Sequence, residues 1–167
     1  MAPLSDGRQT LELGAATGAL AAWLTMRGAT VTTTDVSDGG DVARNVAATF
    51  ALNALPDTHV HVEHTWGETI PAALLEPPFP LIVAVDILLY VKAYPALLKT
   101  LGMLLVPRDG VRPRLLMGWE RRFKGADAPF FDNLADVGLS CTHLGKRIYS
   151  ITATVGGADP MDAEVYR

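Results

Sequence analysis

Apolar and polar positions alternate along this chain between two periods. Short runs rich in Val, Ile, Leu and Thr predict strands over residues 10–15, 29–36, 59–66, 81–86 and 114–119. Stretches of helical period lie between them. Residues 17–27 predict a helix stopped by Gly28, and residues 41–52 a second with Val42, Val46 and Phe50 four apart. The most regular stretch follows Pro95, which suits a first helical turn; Leu97, Leu98, Leu101, Leu104 and Leu105 then share one face. Pro77, Pro78 and Pro80 cannot continue a central strand and mark a loop before residues 81–86. Asp127 is placed to cap a helix carrying Phe130, Phe131, Leu134 and Val137, which Gly138 ends.

Strands alternating with helices predict an α/β fold with a parallel sheet wound on both faces. The final two strands break that rule. Residues 139–144 and 147–155 are joined only by Gly145 and Lys146, too short a link for a parallel crossover, so they pair antiparallel. One domain over residues 1–155 is expected, followed by a loosely packed tail over 156–167, where Gly, Asp and Pro occur without periodicity. Hydrophobic residues make up 49% and charged residues 19%, enough apolar material to exclude a disordered chain.

Charge narrows the partners. The net charge is −4, with 5 basic and 10 acidic side chains in residues 1–100 and 9 and 8 in the rest. No global basic field points to nucleic acid or an anionic membrane. Arg121, Arg122, Lys124, Lys146 and Arg147 read as solvated positions. Cys141 is the one cysteine, so no internal disulfide forms; a core position and a reducing compartment, cytoplasmic or nuclear, are expected. There is no basic segment leading into an apolar run at the start, and the apolar stretch over 13–26 is shorter than the roughly 20 residues of a membrane span.

The chemistry gathers at the ends of the first strands. Residues 12–18 read Glu-Leu-Gly-Ala-Ala-Thr-Gly, a strand running into a glycine-rich turn. Such a turn lets backbone approach a ligand and aims helix N–H groups at it. Asp35 ends the second strand about 20 residues on, where a carboxylate can accept hydrogen bonds from both ribose hydroxyls. Together they point to an adenosine-containing cofactor. A dinucleotide fingerprint needs glycine at the first, third and sixth places, which here hold Gly14, Ala16 and Ala19. An acid-x-Gly-x-Gly-x-Gly pattern, as in S-adenosylmethionine (SAM) sites, finds Glu12, Gly14, Ala16 and Gly18, three matches of four.

Five strand–helix units closed by an antiparallel hairpin resemble the class I, seven-strand methyltransferases. The resemblance implies a Rossmann-like doubly wound sheet of order 3-2-1-4-5-7-6. It extends to Thr65-Trp66-Gly67 after the third strand and to residues 85–90, Val-Asp-Ile-Leu-Leu-Tyr, after the fourth. With Glu12 to Gly18 and Asp35, these look like the protein-lysine methyltransferases of methyltransferase family sixteen. The likeness implies SAM as cofactor, held by Glu12, Gly14, Ala15, Gly18, Asp35, Val36, Trp66 and Val85, with Trp66 against the adenine. It also implies Asp86 as a catalytic residue, from an Asp-x-x-Tyr motif whose tyrosine place holds Leu89; Tyr90, one step later, is the candidate for that role. A protein substrate and a monomeric enzyme are expected. The family has a longer N-terminal region than the ten or so residues preceding the first strand here, which implies a more open pocket or a shortened chain.

Other readings stay open: a methyltransferase for a small-molecule nitrogen or oxygen, a binding module that keeps the fold, and, weakest, an NAD-dependent oxidoreductase. A nucleic-acid amino-group methylase lacks its Asn/Asp-Pro-Pro-aromatic loop after the fourth strand. His59, His61 and His64 are read as solvated residues of an edge strand, not as a metal cluster, with His64 on the opposite face from the other two. Residues 119–122, Trp-Glu-Arg-Arg, are read as a surface loop near the crevice.

Overall fold

The computed structural model describes residues 9–56, 59–120 and 127–154. Seven strands form one sheet: β1 (Gln9–Leu13), β2 (Thr30–Asp35), β3 (Val60–Glu63), β4 (Leu81–Val85), β5 (Arg114–Gly118), β6 (Leu139–Gly145) and β7 (Ile148–Ala153). Their order is β3-β2-β1-β4-β5-β7-β6. The first five are parallel, and β7 runs antiparallel between β5 and β6. Gly145 (φ 99°) ends β6, and Lys146 (φ 52°) and Arg147 make the tight link to β7.

Helices cover both faces. On one side α1 (Ala19–Met26) and α2 (Asp41–Leu52) pack Ala21, Ala22, Leu24, Val46 and Phe50 against Val31 and Val83. On the other, α3 (Tyr94–Leu104) and α4 (Ala128–Asp132) set Leu97, Leu101 and Phe130 against Leu11, Leu13, Ile82, Leu115, Met117 and Ile151. The leucine face beyond Pro95 is thus the helix that closes the larger core. Each fully buried leucine there contributes about 1.5–3 kcal/mol.

Several expectations are corrected. The helix after Asp127 is only five residues long; it gives way to a 3₁₀ turn at Ala135–Val137 before Gly138 (φ 72°). Asp127 stands at the N-cap place yet its side chain caps nothing there. Its Oδ2 instead accepts a hydrogen bond from Trp119 Nε1 at 3.1 Å, and Trp119 is buried rather than on a surface loop. Cys141 is exposed, because β6 is an edge strand and the short α4 leaves it uncovered beyond Leu139. His64 is 3% exposed, so it is not solvated, and burial pushes its imidazole below the ordinary value. His59 tilts against Phe50 with ring centres 4.4 Å apart, and His61 Nδ1 pairs with Thr33 Oγ1 at 2.9 Å. The edge strand therefore uses its histidines for packing. Among the described residues no His, Cys, Asp and Glu side chains gather into a group that could hold a metal ion.

The expected tail over 156–167, and Arg121, Arg122 and Lys124, lie outside the described residues. Arg147 is ion-paired with Glu120 at 2.7 Å. No described helix is long and apolar enough to cross a membrane.

Candidate active site

At the end of β1 the chain turns by alternating left-handed residues: Gly14 (φ 76°), Ala16 (φ 49°) and Gly18 (φ 71°). Glycine takes that conformation without a Cβ penalty, which accounts for the first and last of the three. The turn is held from four directions. Gly14 and Ala15 N–H donate to the Thr34 carbonyl (2.9 and 3.2 Å), Ala16 N–H to Asp35 Oδ2 (2.8 Å), and the Thr49 hydroxyl to the Thr17 carbonyl (2.6 Å). Val46 of α2 fills the fourth side, since a Cβ on Gly18 would meet both its methyls at 3.0 Å. A Cβ on Gly14 would lie 2.8 Å from Ile87 Cγ2 and 4.0 Å from the Trp66 ring. The space beside both missing Cβ atoms is thus partly taken by the protein itself. The glycines serve close packing as well as the turn.

Two carboxylates flank the turn in different surroundings. Glu12 is 5% exposed, with Oε2 accepting the Ala21 N–H at 3.0 Å. Gly18, at the N-cap of α1, supplies no side-chain cap, so this acid reaches across from β1 to satisfy the third amide of the helix. Burial pushes its carboxyl from 4.5 up to about 7, the Ala21 N–H opposes this, and the nearby Asp35 charge adds to it. Asp35 is half-exposed at the end of β2. Its two oxygens accept from Ala16 N–H and Val36 N–H (2.8 and 2.7 Å), which fixes the carboxylate while leaving lone pairs on each oxygen.

Trp66 is half-buried against the larger core. The following Gly67 (φ 85°) is clamped onto α3: its N–H donates to Thr100 Oγ1 (2.9 Å) and its carbonyl accepts from Lys99 Nζ (2.7 Å). A Cβ there would stand 2.9 Å from Ala96 Cβ. This is why glycine follows the tryptophan.

Across the crevice, Asp86 leaves β4 with φ 56°, a left-handed conformation costing a residue with a Cβ about 1–2 kcal/mol. Its N–H donates to the Gly118 carbonyl at 2.9 Å, and the residue is half-exposed. Val36, Val85, Leu89 and Tyr90 are 46%, 53%, 47% and 67% exposed, so the carboxyl ends of β2 and β4 carry an apolar rim open to solvent. Large apolar groups left uncovered at the strand ends that carry Asp35 and Asp86 make this the candidate place for a ligand.

Four contributors escaped the sequence reading: Thr34, Thr49, Ile87 and Tyr94. The first three act through a carbonyl, a hydroxyl and a methyl that meet the turn only in the folded sheet. Tyr94 is buried, and its hydroxyl donates to the Leu88 carbonyl at 3.0 Å, tying α3 to the segment after Asp86. The adjacent Pro95 hinted at a helix start but not at that bond.

The model of the lysine methyltransferase family matches residues 3–137. The chain belongs to that family. It is a SAM-dependent methyltransferase. No curated protein sequence matches it. Among solved structures, the CcbJ methyltransferase from Streptomyces caelestis superposes with a TM-score of 0.67 at 12% identity, over 91% of this chain and 86% of that one. NcsB1, an O-methyltransferase from neocarzinostatin biosynthesis solved with SAM, gives 0.64 at 15% identity over 87% of this chain and 48% of its own. The ribosomal protein L11 methylase from Lactobacillus delbrueckii subsp. bulgaricus gives 0.55 at 21% identity, covering 90% and 72%. At these identities the likeness is one of fold.

Proposed function

We propose that this methyltransferase acts on a lysine side chain of a protein, with Asp86 facing the incoming amine. The carrying observation is the placement of Asp86: a half-exposed carboxylate at the carboxyl end of a central strand, held in a left-handed turn beside Ile87, which itself packs on Gly14. The family description supports the reading. One neighbour of the same fold, the L11 methylase, is named for a protein substrate.

The residues present suit an adenosyl group. Asp35 offers a fixed carboxylate to vicinal hydroxyls, Trp66 an aromatic wall, Val36 and Val85 apolar cover, and Gly14, Ala15 and Gly18 the turn between them. In this reading Glu12 contributes by fixing the start of α1. SAM, when bound, supplies a methyl group on a sulfonium that is already a good leaving group.

What remains for the protein is alignment. An ammonium entering beside Asp86 forms a charge-assisted hydrogen bond that orients its nitrogen. The exposed ring of Tyr90 and the side chain of Leu89 cover the amine's aliphatic stem, while Asp86 favours the charged amine and orients it. The ammonium gives its proton to solvent before the neutral nitrogen takes the methyl group. Tyr90 can also stack against the cation. The single cysteine suits a cytoplasmic setting.

The test is transfer of radiolabelled methyl from SAM into a host lysate, resolved by protein gel and mass analysis. Label on lysine of a protein band, absent with Asp86→Ala, is the expected result. Label confined to small molecules would overturn the lysine reading.

A further inference from the structure

Beyond the crevice, a groove of about 440 Å³ runs between α3 and α4. Its walls are Val91, Pro95, Pro129 and Val137, its floor Tyr94 and Leu98, and its lower rim Asn133 and Asp136. Tyr94 and Leu98 are buried, whereas Val91 is 47% exposed. This volume lies within the range of specific ligand pockets, and its lining is apolar apart from the rim.

Two features connect it to the chemistry. Leu89, Tyr90 and Val91 form an unbroken exposed apolar run that starts three residues after Asp86 and ends as the groove's upper wall. Tyr94 belongs to both places: it lines the groove, and its hydroxyl holds the Leu88 carbonyl. Val91 is shared by the run and the groove lining, so a chain that presented a lysine at Asp86 and followed the run would reach the groove there. The lining has no cation, and Asp136 is exposed at the far rim, with exposed Asp132 nearby on α4.

We propose that this groove docks an extended segment of the methyl-acceptor protein, one that carries aliphatic side chains beside the lysine and then a basic residue against Asp136. The proposal rests on the protein-lysine reading above and adds the sequence class that the enzyme selects. From Tyr94 to Leu98 is about 6 Å along α3, the reach of some two residues of extended chain at about 3.3 Å each. The aliphatic positions therefore fall within a few residues of the acceptor.

The test uses an oriented library of lysine-centred peptides, with each flanking position scanned in turn, and radiolabelled SAM. The wild-type enzyme is expected to prefer an aliphatic residue two to five places from the lysine and Arg or Lys just beyond it. Asn133→Trp, an exposed site whose indole would lie across the groove, should raise KM for the preferred peptide roughly tenfold with kcat retained. The same variant should leave a glycine-flanked lysine peptide unaffected. Asp136→Lys should turn the preference at the basic position towards Asp or Glu. Thermal unfolding of both variants confirms that they fold, and either one suffices to decide. Labelling with no aliphatic preference, or preferences identical in folded variants, overturns the groove while the lysine reading stands. No labelling of any lysine peptide, with small amines labelled instead, overturns both.

Discussion

The two halves of the crevice are built in opposite ways. Around β1 and β2 the backbone makes the site: three left-handed residues, two amides on the Thr34 carbonyl, and a carboxylate aligned by two further N–H groups. Around β4 the site consists of side chains, with Leu89, Tyr90 and Val91 about half or more exposed. That segment is tied by Asp86 N–H to Gly118 and by Tyr94 to Leu88. On the proposed reading, a cofactor shared by many enzymes is met by backbone, and a variable acceptor by replaceable side chains.

The sharpest way to break this contrast is Asp86→Ala. If the two halves are separable, methyl transfer falls by a hundredfold or more, on the order of 3 kcal/mol, while SAM affinity by calorimetry changes less than about threefold. Equal loss of both would show one continuous site. In the rigid half, Gly14→Ala meets both the positive φ and the Ile87 methyl, and should cost about 3 kcal/mol in denaturant unfolding. Adding Ile87→Ala removes the clash, so the two costs should fall short of additive by about 1 kcal/mol. Strict additivity would place the strain elsewhere.

Glu12 gives a pH signature. The folded carboxyl keeps its proton to about 7, whereas the unfolded one releases it near 4.5, so the folded chain binds more protons between those values. Stability of the ligand-free protein should therefore fall as pH rises through that window and level off above it, a change of up to about 3 kcal/mol. His64, lowered by burial, works the other way as pH falls below its ordinary value, so the comparison is with Glu12→Gln, which keeps an acceptor for Ala21. The difference between the two proteins should grow with pH; a constant difference would mean that Glu12 stays charged. The smallest effect is expected of Ala16→Gly. Relief at φ 49° outweighs the added freedom of the unfolded chain and should stabilise by about 0.5 kcal/mol, read as a rise in Tm.

The same contrast explains how much of the molecule was legible in advance. The strands, α1 to α3 and the antiparallel ending follow from periods and turn residues that act over a few positions. The turn at Gly14 and Gly18 and the strand-end place of Asp35 were legible because turn signals are local. The structure also gives Ala16 a meaning that the motif lacked, since the place where a third glycine is expected has φ 49°. The misreadings came where tertiary packing decides. Asp127 looks like a cap in sequence, but a buried indole N–H claims it. Cys141 lies in an apolar stretch that α4 is too short to cover, and His64 follows an edge strand yet turns inward. No pattern along the chain states how long a helix must be to shelter its neighbour.

The insertion of β7 between β5 and β6 sets an order on assembly. Until Ile148–Ala153 has been synthesised, β6 has nothing in the sheet to pair with, and β5 presents one bare edge beside Gly118, the residue that holds Asp86. On the ribosome the adenosyl half can form early from contiguous chain. The outer edge of the sheet closes last, after the strands that carry Glu12, Asp35 and Asp86 have all been made.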